Sequence, residues 1–114
     1  MLPVSAHAKT AAELQDDCAA FYQQSTTVAG TQADLDRMLK CVAYISGVLD
    51  VPLMYSVGGA AYCAPAGTTR GTVIGVVREQ IRRPEVAKMT WPGSGPQVIF
   101  NAVQARWPCN ESGR

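Results

Sequence analysis

Cys18, Cys41, Cys63 and Cys109 form an even set with no close pair among them, and this constrains the chain more than any other feature. A metal site needs two ligands presented together by one small loop, as C-x-x-C does. No such spacing exists here, and the single histidine, His7, stands near the N-terminus. An even number of widely spaced cysteines in a small chain reads as a disulfide framework, formed in an oxidising compartment. Two structural bridges are therefore expected, with four free buried thiols as the alternative and no metal or cofactor.

The N-terminus points the same way. Ala6-His7-Ala8 has the small-x-small form that precedes signal-peptide cleavage, with Lys9 opening the mature chain. Met1 to Ser5 would be the trimmed tail of the apolar segment; an ordinary leader with alanines by chance is the plainer reading. Residues 1–8 are thus expected to be a residual leader and 9–114 a single helical domain, exported to a periplasm or beyond the cell. Apolar residues at 47% and charged residues at 17% suit a packed core. A net charge of +1 offers no electrostatic footprint for nucleic acid. The run from Val42 to Tyr62 is the nearest thing to a membrane span. Asp50 near its middle would cost about 2.5–3.5 kcal/mol in the bilayer, and Gly47, Pro52, Gly58 and Gly59 interrupt it. A core helix followed by a glycine loop explains it better, with no membrane span.

Periodicity predicts helices and no convincing strand. Thr10 and Glu13 form a capping-box pattern, and Leu14, Cys18 and Phe21 follow at helical spacing. Ser25 to Gly30 reads as a turn, and Thr31 as the cap of a second helix. Leu35, Met38, Leu39, Val42, Ile45 and Leu49 would make that helix's apolar face. Two consecutive helices joined by a short turn pack antiparallel, which sets Cys18 and Cys41 at similar heights. Cys18–Cys41 is therefore the preferred bridge, leaving Cys63–Cys109, although three connectivities are formally possible. A third helix follows the turn Cys63-Ala64-Pro65-Ala66-Gly67, capped by Thr68 or Thr69, and runs through Val73, Val76, Val77 and Ile81. Arg78, Arg82 and Arg83 load its C-terminal end, where cations meet the negative end of the helix dipole. Pro84-Glu85 restarts a short helix. Trp91 to Pro96 reads as irregular, with a last helix from about Gln97 to Arg106. The expected fold is an all-α compact bundle of about four to five helices stapled by two disulfides.

Catalytic chemistry finds no footing in this pattern. A serine or cysteine nucleophile needs a base, and histidine is missing beyond the leader. The carboxylates Asp16, Asp17, Asp34 and Asp36 belong to helix starts and polar faces, and no phosphate-cradling glycine motif is present. Asp50 is expected to be either a contact or buried anchor, or a solvated residue at a helix end. Gly47, one turn earlier, is expected to let another helix approach closely.

These motifs, in order, resemble the Rap/Tai immunity proteins. Cys41-Val42-Ala43-Tyr44-Ile45-Ser46-Gly47-Val48-Leu49-Asp50 resembles that family's C-x-x-Y-x-x-G-x-x-D helix. Tyr62-Cys63-Ala64-Pro65 looks like its aromatic-Cys-x-Pro turn, Arg83-Pro84-Glu85 like its Pro-Glu start, and Trp107-Pro108-Cys109 like its terminal aromatic-Pro-Cys. The chain departs from the pattern at Gly71, where many members carry glutamine, and in the stiff segment Trp91 to Pro96. The resemblance implies a periplasmic homodimer that binds and blocks a cognate secreted amidase toxin of type VI secretion by covering its cleft, with no catalysis of its own.

Partner contacts are expected on the loops Tyr55 to Ala60 and Lys88 to Pro96, namely at Tyr55, Gly58, Gly59, Lys88, Trp91, Gly93 and Ser94. Trp91 and Tyr55 are the candidate anchors, because aromatics dominate interface hot spots; the plainer role for Trp91 is an aromatic folded over the core. Two other classes remain open. A periplasmic holdase-type chaperone would need clustered carboxylates and histidines, which are few here. A ligand-binding or structural exported module would show a well-formed apolar pocket.

Overall fold

The computed structural model describes residues 9–23, 32–50 and 62–109, and four α-helices and one 3-10 turn lie among them. They are α1 (Ala11–Gln23), α2 (Gln32–Leu49), α3 (Arg70–Ile81), the 3-10 turn Pro84–Lys88 and α4 (Ser94–Arg106). No strand occurs among the described residues, so the chain is all-α. The proposed leader, the turn from Ser25 to Gly30 and the cap at Thr31 lie outside them.

Local chemistry sets the helix starts. Thr10 Oγ1 accepts the Glu13 N–H at 3.0 Å while Glu13 Oε1 accepts the Thr10 N–H at 2.9 Å. This reciprocal capping box satisfies two donors that the helix leaves over. Thr69, rather than Thr68, caps α3 by accepting the Thr72 N–H at 3.1 Å. Thr68 instead donates its hydroxyl to the Pro65 carbonyl at 2.7 Å and closes the preceding turn. The carbonyl end of α3 is finished from another helix. Gln15 Nε2 on α1 donates to the Ile81 and Arg83 carbonyls at 2.9 and 3.0 Å.

The core gathers one face of each helix. Leu14 and Cys18 from α1 and Cys41 and Ile45 from α2 meet Val77 and Ile81 from α3 and Ile99 and Val103 from α4; all eight are fully buried. Each aliphatic side chain of this kind contributes about 1.5–3 kcal/mol on burial. Val86 adds the 3-10 turn to the same cluster. α1 packs chiefly on α2 and α3 on α4, and α1 also reaches α4 and the 3-10 turn.

Both disulfides have the expected pairing. Cys18–Cys41 ties α1 to α2 across a Cα separation of 5.0 Å. Cys63–Cys109, at 5.1 Å, ties the entry to α3 to the exit from α4, and the Cys63 N–H donates to the Trp107 carbonyl beside it at 2.9 Å. Loop-closure entropy gives about 3.4 and 4 kcal/mol for the two bridges.

Three expectations need correction. α4 starts at Ser94, not Gln97. Pro96 then occupies the third helical position, where its missing N–H is one the helix could not have used. Leu35 and Leu39 stand exposed at 47% and 68% instead of joining the core; the buried side of α2 is Cys41, Ile45 and Leu49. No helix presses on Gly47, since a Cβ built there meets nothing within 4 Å. The glycine that does permit close approach is Gly95, whose Cβ would stand 2.7 Å from the Lys9 carbonyl oxygen.

Candidate functional site

The segment from Lys88 to Gly93 runs between two anchored ends. At one end the Met89 carbonyl accepts the Ala12 N–H at 3.1 Å, which docks the exit of the 3-10 turn onto the start of α1. Val86 is buried beneath the turn. At the other end Gly95 donates its N–H to the Lys9 carbonyl at 3.0 Å. Gly93 caps α4 in the left-handed region, at φ 89°, which a side chain would strain.

Ser94 holds the segment together. Its hydroxyl oxygen accepts the Ala11 N–H at 2.7 Å, and its single proton is shared between the Met89 and Trp91 carbonyls at 3.0 and 2.8 Å. The Ser94 N–H returns to the Trp91 carbonyl at 3.1 Å. The residue has no exposed surface. Ser94 was expected among the contact residues; the structure places it inside, where it shapes the segment and presents nothing to a partner.

Lys88 and Trp91 are exposed and Gly93 is half-buried. Trp91 is 47% accessible, and its indole Nε1–H donates to Gln97 Oε1 at 3.1 Å. That bond fixes the ring against the first turns of α4 and leaves much of it in solvent, so Trp91 is not folded away over the core. Trp107 takes the buried place, 7% exposed, with Tyr62 at a ring separation of 6.0 Å. Tyr55, Gly58 and Gly59, and the whole loop from Tyr55 to Ala60, lie outside the described residues.

Several charged side chains outside this segment are engaged structurally. Lys9 Nζ lies 3.1 Å from Asp17 Oδ2 and 5.4 Å from the centre of the Tyr44 ring. Burial, assisted by the nearby Glu13 charge, pushes the Tyr44 hydroxyl above the ordinary tyrosine value. Arg78 stacks on the Phe21 ring at 4.2 Å, and Arg82 lies 3.6 Å from Glu79. Asp50 is exposed at the end of α2, the solvated alternative, and there it receives Arg70 Nη2 at 2.8 Å and links the end of α2 to the start of α3. As an exposed pair it contributes under about 1 kcal/mol.

No cluster of metal-ligating side chains occurs among the described residues, and no helix there is long and apolar enough to cross a membrane. Between α3 and α4 runs an open groove of 520 Å³, with Gly75, Val76, Ala102, Ala105, Arg83 and Arg106 among its lining. The groove is open to solvent rather than enclosed.

Sequence reasoning missed Gly95, Gln15 and the inward role of Ser94. Each acts on a segment far away in the chain, and no local pattern marks such a contact.

A family model described as Rap1a immunity proteins matches residues 10–109. The matched span opens at the capping threonine of α1 and closes at the last cysteine of the second bridge. No curated protein and no solved structure gives a significant match.

Proposed function

The chain belongs to the Rap1a immunity protein family, and on that premise we propose that it binds and blocks a peptidoglycan amidase delivered by type VI secretion. The encounter takes place in the periplasm, and the protein acts there as a homodimer without catalysis. Two disulfides within 114 residues favour an oxidising compartment of this kind.

Inhibition by covering a cleft demands a rigid projecting surface with an aromatic anchor, because ordering a loose loop on binding lowers affinity. The Lys88–Gly93 segment is anchored at both ends and carries a half-exposed aromatic ring. The single observation that carries the reading is the half-exposed Trp91 ring, pinned by Gln97 on a segment clamped from within by Ser94. Its proposed role is to enter or cap the amidase cleft, with Lys88 and Gly93 beside it.

The test is co-expression with amidases encoded beside this gene. A stable complex, and restored growth of cells exporting the amidase to their periplasm, are expected. Failure to bind or protect against any amidase effector of the producing strain would overturn the reading.

A further inference from the structure

Leu35 and Leu39 are 47% and 68% exposed, and they are the only large aliphatic side chains so placed among the described residues. Four positions apart on α2, they lie one above the other and form a continuous strip. Met38 and Val42, both half-buried, extend it toward the core. Single exposed leucines are unremarkable, whereas a contiguous strip with an organised polar border marks an interaction surface.

The border is organised. Asp36 and Lys40 each follow one of these leucines by one position, so both lie along the same flank of the strip, one turn apart. Gln32 Nε2 donates to Asp36 Oδ1 at 3.2 Å and holds the carboxylate on that flank. A flank with an acid at one level and a base one turn on complements itself only when turned end for end. In an antiparallel two-fold pair, Asp36 of one copy faces Lys40 of the other and the reverse, while Leu35 crosses onto Leu39. In a parallel two-fold pair this flank would face the opposite flank of the partner, and Asp36 and Lys40 would not meet.

We propose that this face of α2 is the surface through which the chain pairs with a second copy, antiparallel and about a two-fold axis. Such a contact is isologous, each residue meeting the other's counterpart. The inference names the surface of the homodimer in the proposed function and does not rest on the toxin's identity. A strip of two leucines per copy falls short of the roughly 800 Å² per partner that stable pairs bury, so the association is weak and concentration-dependent.

Sedimentation velocity on the full chain over a wide concentration range tests it. The wild type is expected to pass from monomer to dimer, and Leu39→Glu to raise the dissociation constant at least about 30-fold. Lys40→Asp is expected to weaken pairing, and adding Asp36→Lys to restore it, a rescue that misfolding would not produce. A wild type that stays monomeric throughout overturns the proposal. So does a dimer indifferent to Leu39→Glu, which must then use another face. Loss of amidase binding by Leu39→Glu in a protein that never pairs would assign the strip to the toxin and equally overturn it. Pairing that depends on α2, in a protein that binds no amidase, would support this surface while removing the proposed target.

Discussion

Ser94 Oγ lies 2.7 Å from the Ala11 nitrogen, so the first residue of α4 satisfies an N–H at the first residue of α1. Helix starts leave such donors without partners inside their own helix, and here one helix start completes another across 83 positions of sequence. Ser94→Ala leaves that buried N–H unsatisfied and takes one of two donors from each of the Met89 and Trp91 carbonyls, which keep the Ala12 and residue-94 backbone N–H groups. A loss of about 1–3 kcal/mol is expected, read as a lower urea midpoint at unchanged slope.

Gly95 and Gly47 should respond oppositely to alanine. At Gly95 the new methyl would meet a backbone oxygen at 2.7 Å, and backbone cannot step aside as a side-chain end can. Gly95→Ala is expected to cost about 1–3 kcal/mol. At Gly47, open and within α2, alanine is expected to stabilise by about 0.5–1 kcal/mol. Thermal unfolding of the two variants checks both signs.

The two disulfides differ in access. Cys18 and Cys41 are fully buried, whereas Cys109 is exposed and Cys63 half-buried. Mild reductant under native conditions is expected to open Cys63–Cys109 first, because thiol exchange requires the attacking thiolate to reach a sulfur. Timed alkylation with mass spectrometry reads the order directly.

Tyr44 makes stability fall in alkali. Its folded pKa lies above that of an ordinary tyrosine, through burial first and the Glu13 charge second. The folded state therefore holds the proton more tightly than the unfolded chain does. This contribution is complete below the unfolded value and is lost as pH rises through the folded one. Tyr44→Phe cannot ionise, so its urea midpoint should decline less than that of the wild type between about pH 9 and pH 11.

Trp91 separates binding from folding. Trp91→Ala removes a half-exposed ring and one hydrogen bond at the surface, and stability is expected to change by under about 1 kcal/mol. Affinity for the cognate amidase is expected to fall at least about 30-fold. Calorimetric titration beside a urea melt measures the two effects on one preparation.

Several features of the fold were legible because the forces behind them are local. The box between Thr10 and Glu13 spans a single helical turn, and its geometry follows from the helix itself. Cys18 and Cys41 sit in consecutive antiparallel helices, so their levels follow from counting turns. The same style of reading failed at α4. Proline and glycine between Trp91 and Pro96 suggest irregular chain, yet proline is harmless in a first helical turn and α4 begins three residues earlier. It failed again on α2, where periodicity identifies an apolar side but not whether a neighbour arrives to cover it. Ile45 and Leu49 are covered; Leu35 and Leu39 are not.

By itself, then, the sequence determined the helices, the capping box that opens α1 and the all-α bundle, through propensities and cap chemistry acting within a few residues. The ordered set of motifs around the cysteines also carried the family. Tertiary structure alone decided that Ser94 faces inward, that Gly95 meets Lys9, that Gln15 finishes α3 and that two leucines of α2 remain in water. Each of those depends on which backbone groups and surfaces come together from distant parts of the chain. Such meetings are settled by packing of the whole molecule, and no short window of residues encodes them.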